Sequence, residues 1–435
     1  MYSELTIVFC LCSSLYFWVS SKKILNPIAV FNSIWVFILF LESFHYYGLF
    51  TADERIYQYI FIGVMSINMG YFFWYIFRIN YNISFIPQQV SYTPRIKLLY
   101  FLSFICILFF LSSSLTTINL LLSGNSLGFI RSLAQQSSDT NSLFAKSHGT
   151  LTNAIFLLVI NPTSMAIQIS ASINFWAGKR DKILFCLAII LVFLTAFSSG
   201  GGRTSIVNFL IYSMIGYTFS SKIKSKKSKK SNNIIFLLLG LGVLVAFTIS
   251  RAGQDLFKGL YLYFSMEPYM FSIWASIVDG LNVKGFGEAA TNGFSFVLFY
   301  LFKNVLGIPF PEHWNSVYTL IRETDSNWQI ITNIPTTANA YVSGFWYLYL
   351  DGGLFAIISG MLLYGTVIAE SFFNAVKKRD ERSLSLFALM FQGLFFFFIR
   401  FPFSDVTYCL TLVYLFFILY KRSGTSGNIH NYRGE

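Results

Sequence analysis

Arginine is the residue type whose placement in this sequence most suggests chemistry. Six arginines stand in, or at the edge of, segments that link apolar runs: Arg55, Arg131, Arg203, Arg251, Arg322 and Arg400. A guanidinium is always charged, and its planar fork of donors matches phosphate oxygens two at a time. Taken singly, each arginine is better explained as an interfacial anchor or as half of an ion pair. Two or more of them together would form a site for a polyanionic headgroup such as a diphosphate.

Arg203 and Arg251 have the most suggestive surroundings. Arg203 follows three glycines at residues 200–202 and precedes an apolar run. Glycines let the backbone approach a ligand closely, and the start of a helix presents unpaired amides. Arg251 ends the next apolar run, so both arginines are expected near the same membrane face. We expect these two to bind the diphosphate, with Arg322 and Arg400 as further members of the cluster.

Few side chains outside the apolar runs could accept a proton. His313 lies in the rigid, aromatic segment 309–314, directly after Glu312. Histidine suits a general base, although His313 is also consistent with an ordinary surface loop residue. Asp351 lies inside an apolar run, where a carboxylate is costly and therefore a functional candidate. Its alternative role is a structural hydrogen bond or an ion pair between helices. Glu312, Glu267 and Asp325 are further candidate carboxylates.

The composition is typical of a polytopic membrane protein. Of 435 residues, 55% are hydrophobic and only 11% are charged, against about 25% charged in soluble domains. Spanning segments this long must be helices, because the backbone has to satisfy its own hydrogen bonds in lipid. The sequence has no nucleotide-binding motif, and its five cysteines lack metal-ligand spacing. We therefore expect no cofactor, no metal and no nucleic-acid partner, despite a net charge of +12.

The predicted fold is all-α, a single integral membrane domain over residues 1–435 with about eleven spans. Two further apolar stretches, 256–278 and 292–308, carry charges and are predicted to be interfacial helices; as extra spans they would raise the count to thirteen. The predicted spans are 5–20, 27–44, 56–77, 97–122, 151–175, 183–198, 204–220, 233–250, 341–369, 384–399 and 406–420.

Every second loop is rich in lysine, which predicts the orientation because cytoplasmic loops carry an excess of Lys and Arg. The loops predicted to be cytoplasmic are 22–23, 78–97, 179–182, 222–230, 377–382 and 421–422. The N-terminus then faces outward, and residues 251–340 form one large periplasmic loop. This arrangement predicts a multi-pass protein of the bacterial inner membrane.

Several of these segments resemble the Wzy-type polymerases of oligosaccharide repeat units, which make O-antigen or capsule. The resemblance rests on the helix from Asn26-Pro27 to Trp35 and on Gly-Gly-Arg-Thr at 201–204. It rests most on Thr-Thr-Ala-Asn-Ala-Tyr at 336–341, followed by Phe-Trp-Tyr-Leu-Tyr-Leu-Asp-Gly-Gly at 345–353. The resemblance covers nearly the whole chain.

The resemblance implies a glycosyltransferase that resembles the all-helical, lipid-sugar-dependent enzymes and needs no nucleotide sugar. It would transfer the growing glycan from undecaprenyl diphosphate to the incoming lipid-linked unit at the periplasmic face. Membrane lipid, a chain-length regulator and a flippase are the other partners that it implies. Two alternatives stay open at this point: an O-antigen ligase, and a flippase or transporter of lipid-linked oligosaccharides. A transporter would have charges spread through its span centres and internal repeats.

Overall fold

The computed structural model describes residues 1–80, 91–125, 152–199, 202–220 and 256–423, which are mostly helical. The helices are α1 (Tyr2–Ser21), α2 (Pro27–Glu42), α3 (Glu54–Asn80), α4 (Ile96–Leu122), α5 (Thr152–Trp176), α6 (Lys182–Ser198), α7 (Thr204–Thr218), α8 (Leu256–Ser265), α9 (Glu267–Leu281), α10 (Asn292–Leu306), α11 (Glu312–Ser326), α12 (Ser343–Lys378), α13 (Glu381–Phe395) and α14 (Val406–Ile418). The strands are β1 (Tyr92–Pro94), β2 (Gln329–Ile330), β3 (Thr337–Ala338) and β4 (Tyr420–Arg422).

Five of these helices, α1, α3, α4, α5 and α12, are long and apolar enough to cross a membrane. They coincide with five of the predicted spans. Helices α2, α6 and α14 are apolar but shorter, and they also fall on predicted spans. The predicted spans 204–220 and 384–399 correspond to α7 and α13, of 15 residues each. The predicted span 233–250 lies outside the described residues. The chain is therefore a helical membrane protein, and the count of eleven spans stays a prediction.

Of the segments predicted to be cytoplasmic, the described part of 78–97 meets 421–422 at one end of the helices, which we call the inner end; residues 222–230 lie outside the described part of the chain. Strand β1 pairs antiparallel with β4, so that Thr93 lies opposite Lys421. Arg78 at the end of α3 pairs with Glu370 of α12 at 2.6 Å. This grouping agrees with the alternation of lysine-rich loops. Which compartment the inner end faces stays a prediction.

Helices α3 and α12 pack backbone against backbone. A Cβ added to Gly70 would lie 2.2 Å from the carbonyl oxygen of Leu362, and one added to Gly365 would lie 2.3 Å from that of Ile67. Small residues of this kind are typical of membrane helix pairs, where close van der Waals packing replaces the hydrophobic effect. The pair forms the centre of the bundle and fixes α12, whose outer part carries the candidate site.

Helix α12 is broken where the sequence predicts one continuous span over 341–369. Gly352 and Gly353 leave helical geometry, and Gly353 has a φ of +63°, a conformation that glycine adopts at little cost. The break separates a short outer segment, Ser343–Asp351, from the long remainder of the helix. The predicted span therefore consists of two pieces that can point in different directions.

Residues 256–342 cover the other end of the helices, and we call them the outer layer. The stretch 256–278 is not one helix, because Pro268 at the start of α9 cannot continue α8. Helix α11 was not predicted. Its buried residues Trp314, Val317 and Ile321 recur at helical spacing, but the rest of it is polar. Strands β2 and β3 form a small antiparallel hairpin after α11.

Candidate functional site

The outer segment of α12 connects three parts of the outer end. It contains the Phe-Trp-Tyr-Leu-Tyr-Leu-Asp motif of the sequence, and residues 343–351 are all buried. Tyr347, Tyr349 and Asp351 each reach a different cluster of charged residues. This short helix therefore contacts three groups of polar and charged residues at the outer end.

Asp351 holds the turn between α9 and α10. Its two carboxylate oxygens accept hydrogen bonds from the backbone amides of Ala289 and Ala290, each at 2.8 Å. The backbone of the turn is also held directly, because the Phe286 amide donates to the Asp351 carbonyl at 2.9 Å. Asp351 is only 4% exposed. This geometry favours the structural alternative for Asp351 and gives the carboxylate a positioning role.

His313 lies against the same turn, at the start of α11. Its Nδ1 is 2.9 Å from a carboxylate oxygen of Glu288, and its Nε2 is 2.8 Å from the carbonyl oxygen of Lys284. Both ring nitrogens thus face oxygen atoms, so His313 can accept a substrate proton only after one contact breaks. Glu312, the preceding residue, is exposed in the first turn of α11.

A second cluster surrounds Asp279 at the end of α9. Arg55 pairs with one Asp279 oxygen at 2.9 Å, and the Tyr349 hydroxyl donates to the other at 2.5 Å. The Arg55 guanidinium also lies over the ring of Tyr59, 5.9 Å from its centroid. These contacts give Arg55 the ion-pairing role that was the alternative for each single arginine.

A third cluster contains Arg400 and Arg322, two of the predicted diphosphate-binding residues. Arg400 pairs with Asp325 at 2.8 Å, and this carboxylate raises the pKa of Arg400 above its ordinary value. Arg322 lies one helical turn before Asp325 on α11 and is exposed. Its guanidinium is 5.8 Å from the ring centroid of Tyr318. The fold therefore places Arg400 beside Asp325, three residues after Arg322 on α11, although 78 residues separate Arg322 from Arg400 in the sequence.

Arg203 stands at the same end of the bundle, immediately before α7. The described part of its glycine-rich turn is closed by Gly202, whose amide donates to the hydroxyl of Ser199 at 3.2 Å. Helix α7 packs against α13, and Phe219 near its inner end contacts Phe387. Because the two helices are antiparallel, Arg203 and Arg400 both lie toward the outer end. Arg251 and Arg131 fall outside the described residues.

A buried pair of acids links the outer layer to the end of α2. Glu267 is 0% exposed, and neither of its oxygens has a hydrogen bond of ordinary geometry from any described residue, although Ser343 lies nearby. Burial, with a smaller contribution from the charge of nearby Glu42, raises the pKa of Glu267 to about 8. Glu42 is itself buried and accepts a hydrogen bond from Tyr57. The sequence predicts Glu267 as a candidate carboxylate but does not single out Glu42. The feature that could have identified Glu42 is an acidic residue at the end of an apolar helix.

Among the described residues, no three His, Cys, Asp or Glu side chains converge in a way that could hold a metal ion. No protein-family model, curated protein or solved structure matches the chain.

Proposed function

We propose that the chain polymerises lipid-linked oligosaccharide repeat units at the outer end of its helices. The observation that carries this proposal is the pairing of Arg400 with Asp325 of α11, one helical turn after the exposed Arg322. The 345–353 motif, on which the sequence resemblance mainly rests, lies next to this cluster through Tyr347. Arg203, which directly precedes α7, and Arg251, which lies outside the described residues, are proposed to bind the same diphosphate.

The chemistry is a substitution at the first carbon of a sugar. The bond between this carbon and a diphosphate oxygen breaks, and a bond to an acceptor hydroxyl oxygen forms. The leaving diphosphate takes the electron pair, so negative charge develops where arginines can stabilise it. A base takes the hydroxyl proton, and His313 is the first candidate, with Glu312 beside it.

The arrangement implies two rearrangements when substrate binds. Arg400 is already paired with Asp325, so a diphosphate has to compete with this carboxylate or join it through the remaining guanidinium donors. His313 has to release Glu288 or Lys284 before it can accept a proton. Asp351 keeps the turn below His313 in place.

The surface polysaccharide of a strain that lacks this chain tests the proposal against its rivals. Loss of a polymerase leaves the lipid core with a single repeat unit attached. Loss of an O-antigen ligase leaves no attached glycan, and loss of a flippase leaves units trapped inside the cell. Either of the last two outcomes would refute the proposal.

Purified protein provides a second, independent test. Incubation with lipid-linked repeat units should yield a ladder of longer lipid-linked glycans and release undecaprenyl diphosphate. Transfer to lipid A core without lengthening would instead indicate a ligase.

A further inference from the structure

Phe286 is exposed to an unusual degree for an aromatic residue in polar surroundings. Its side chain is 78% exposed, and it lines a cavity of about 370 Å³ together with Asn282, Val283, Lys284, His313 and Ser316. The side chains of Lys284, Glu288 and His313 around it suit water and not lipid. This volume falls at the lower end of the roughly 300–1,000 Å³ range of small-molecule sites.

The backbone below the ring is held in a conformation that side chains rarely adopt. Phe286 has a φ of +49°, and Gly287 follows with a φ of +97°. Such conformations persist only where the surroundings enforce them. Here the buried Asp351 does so through the amides of Ala289 and Ala290 and through its own carbonyl. The fold thus holds an exposed ring in a fixed position.

One side of the ring is already occupied. The imidazole of His313 stacks on Phe286, with ring centroids 5.8 Å apart and planes inclined by 29°. The two contacts that His313 makes with Glu288 and the Lys284 carbonyl fix this imidazole. Since most of the Phe286 side chain is exposed, its opposite side is open to the cavity.

A sugar ring matches these features. The face of an aromatic ring carries negative charge density, so it attracts the polarised C–H bonds on the apolar side of a pyranose. The ammonium of Lys284, the amide of Asn282 and the hydroxyl of Ser316 can bond the hydroxyl groups at the rim of the sugar. A flat apolar ligand would leave these polar groups without a role.

We propose that Phe286 and its surrounding cavity form a sugar-binding subsite, which holds one ring of the glycan on the face of Phe286 that His313 leaves open. The identity of this sugar as part of a lipid-linked repeat unit rests on the proposed function. The binding of a sugar ring is independent of the proposed function, because it is argued from the residues of the cavity alone.

Binding of free monosaccharides to the purified full-length protein tests the subsite without any turnover. The probes are glucose, galactose, mannose, rhamnose and N-acetylglucosamine at millimolar concentration, observed by saturation-transfer NMR. We expect at least one of them to bind, and Phe286→Ala to weaken its binding about tenfold or more, by analogy with the loss of a base-stacking aromatic. Phe286→Trp should retain binding, since it keeps the aromatic face.

Phe257→Ala is the matched control, because Phe257 is equally exposed at 79% but lies on α8. It should leave monosaccharide binding unchanged. Binding to none of the five sugars, or equal binding by Phe286→Ala protein with unchanged thermal stability, would overturn the subsite. If sugars bind through Phe286 but polymerisation is absent, the subsite stands and the proposed function fails.

Discussion

Replacement of Glu267 by glutamine should reduce the fall in this protein's stability between pH 5 and pH 8. The Glu267 carboxyl is fully buried beside Glu42, and its pKa is about 8 in the folded chain against an ordinary value of 4.5. This difference is about 3.5 units, and one unit corresponds to about 1.4 kcal/mol. Ionisation of Glu267 therefore costs the folded state about 5 kcal/mol at most.

The sign follows from which state holds the proton. Below pH 4.5 Glu267 is protonated in both the folded and the unfolded chain, so its protonation does not alter stability. Between pH 4.5 and about 8 the folded chain keeps a proton that the unfolded chain releases. The free energy of unfolding therefore falls as the pH rises through this window, and the loss is complete above it.

Thermal unfolding in detergent at a series of pH values measures the effect. The melting temperature of the wild-type protein should fall from pH 5.5 to pH 8.5, and that of Glu267→Gln should fall much less. In Glu42→Gln protein the melting temperature should fall at lower pH than in the wild type, because the Glu42 charge raises the pKa of Glu267. Glu4→Gln, at an exposed acid of α1, is the control. Parallel pH profiles for wild type and Glu267→Gln would refute the reasoning.

The arginine site gives a second prediction: Arg→Ala at position 203 or 251 should lower polymerisation about 10²-fold, as loss of an oxyanion donor does. Arg203→Lys and Arg251→Lys should also impair polymerisation, because lysine cannot make two parallel hydrogen bonds to a phosphate. The control, Arg379→Lys at the inner end, should leave polymerisation unchanged. Normal long-chain polysaccharide from both Arg203→Lys and Arg251→Lys at matched abundance would remove these arginines from the site. Polymerisation by purified protein should survive EDTA, since arginines are proposed to stabilise the diphosphate; activity that EDTA abolishes and Mg²⁺ restores would contradict this. Single cysteines at Lys226 and His313 should be labelled from opposite sides of the membrane by an impermeant reagent, and labelling of both from one side would overturn the predicted orientation.

The sequence predicts the bundle better than the outer layer, for a physical reason. Long apolar runs and lysine-rich loops are strong local signals, and they identify α3, α4 and α5 and the segments that meet at the inner end. Helix α11 was missed because its few buried residues are spread through a polar segment. The break in α12 was missed because two glycines inside an apolar run leave its hydropathy unchanged.

The candidate site depends on contacts that no local pattern contains. The sequence marks Asp351 as an unusual carboxylate, but its partners Ala289 and Ala290 lie about sixty residues earlier. Arg400 is recognisable as an outward arginine, yet its pairing with Asp325 requires the fold of α11 and α13. Spacing predicts which residues carry charge at the outer end, and packing decides which of them meet.

The pairing of β1 with β4 has a consequence for how the protein is made. Strand β1 leaves the ribosome early, and β4 follows more than 320 residues later. At roughly 5–20 residues per second, β1 waits about 16–65 s for its partner. During this time its backbone amides and carbonyls at the inner end are open to other chains or to a chaperone. A chain that terminates before residue 420 never closes this end, so shortening it there should harm assembly more than its distance from the candidate site suggests.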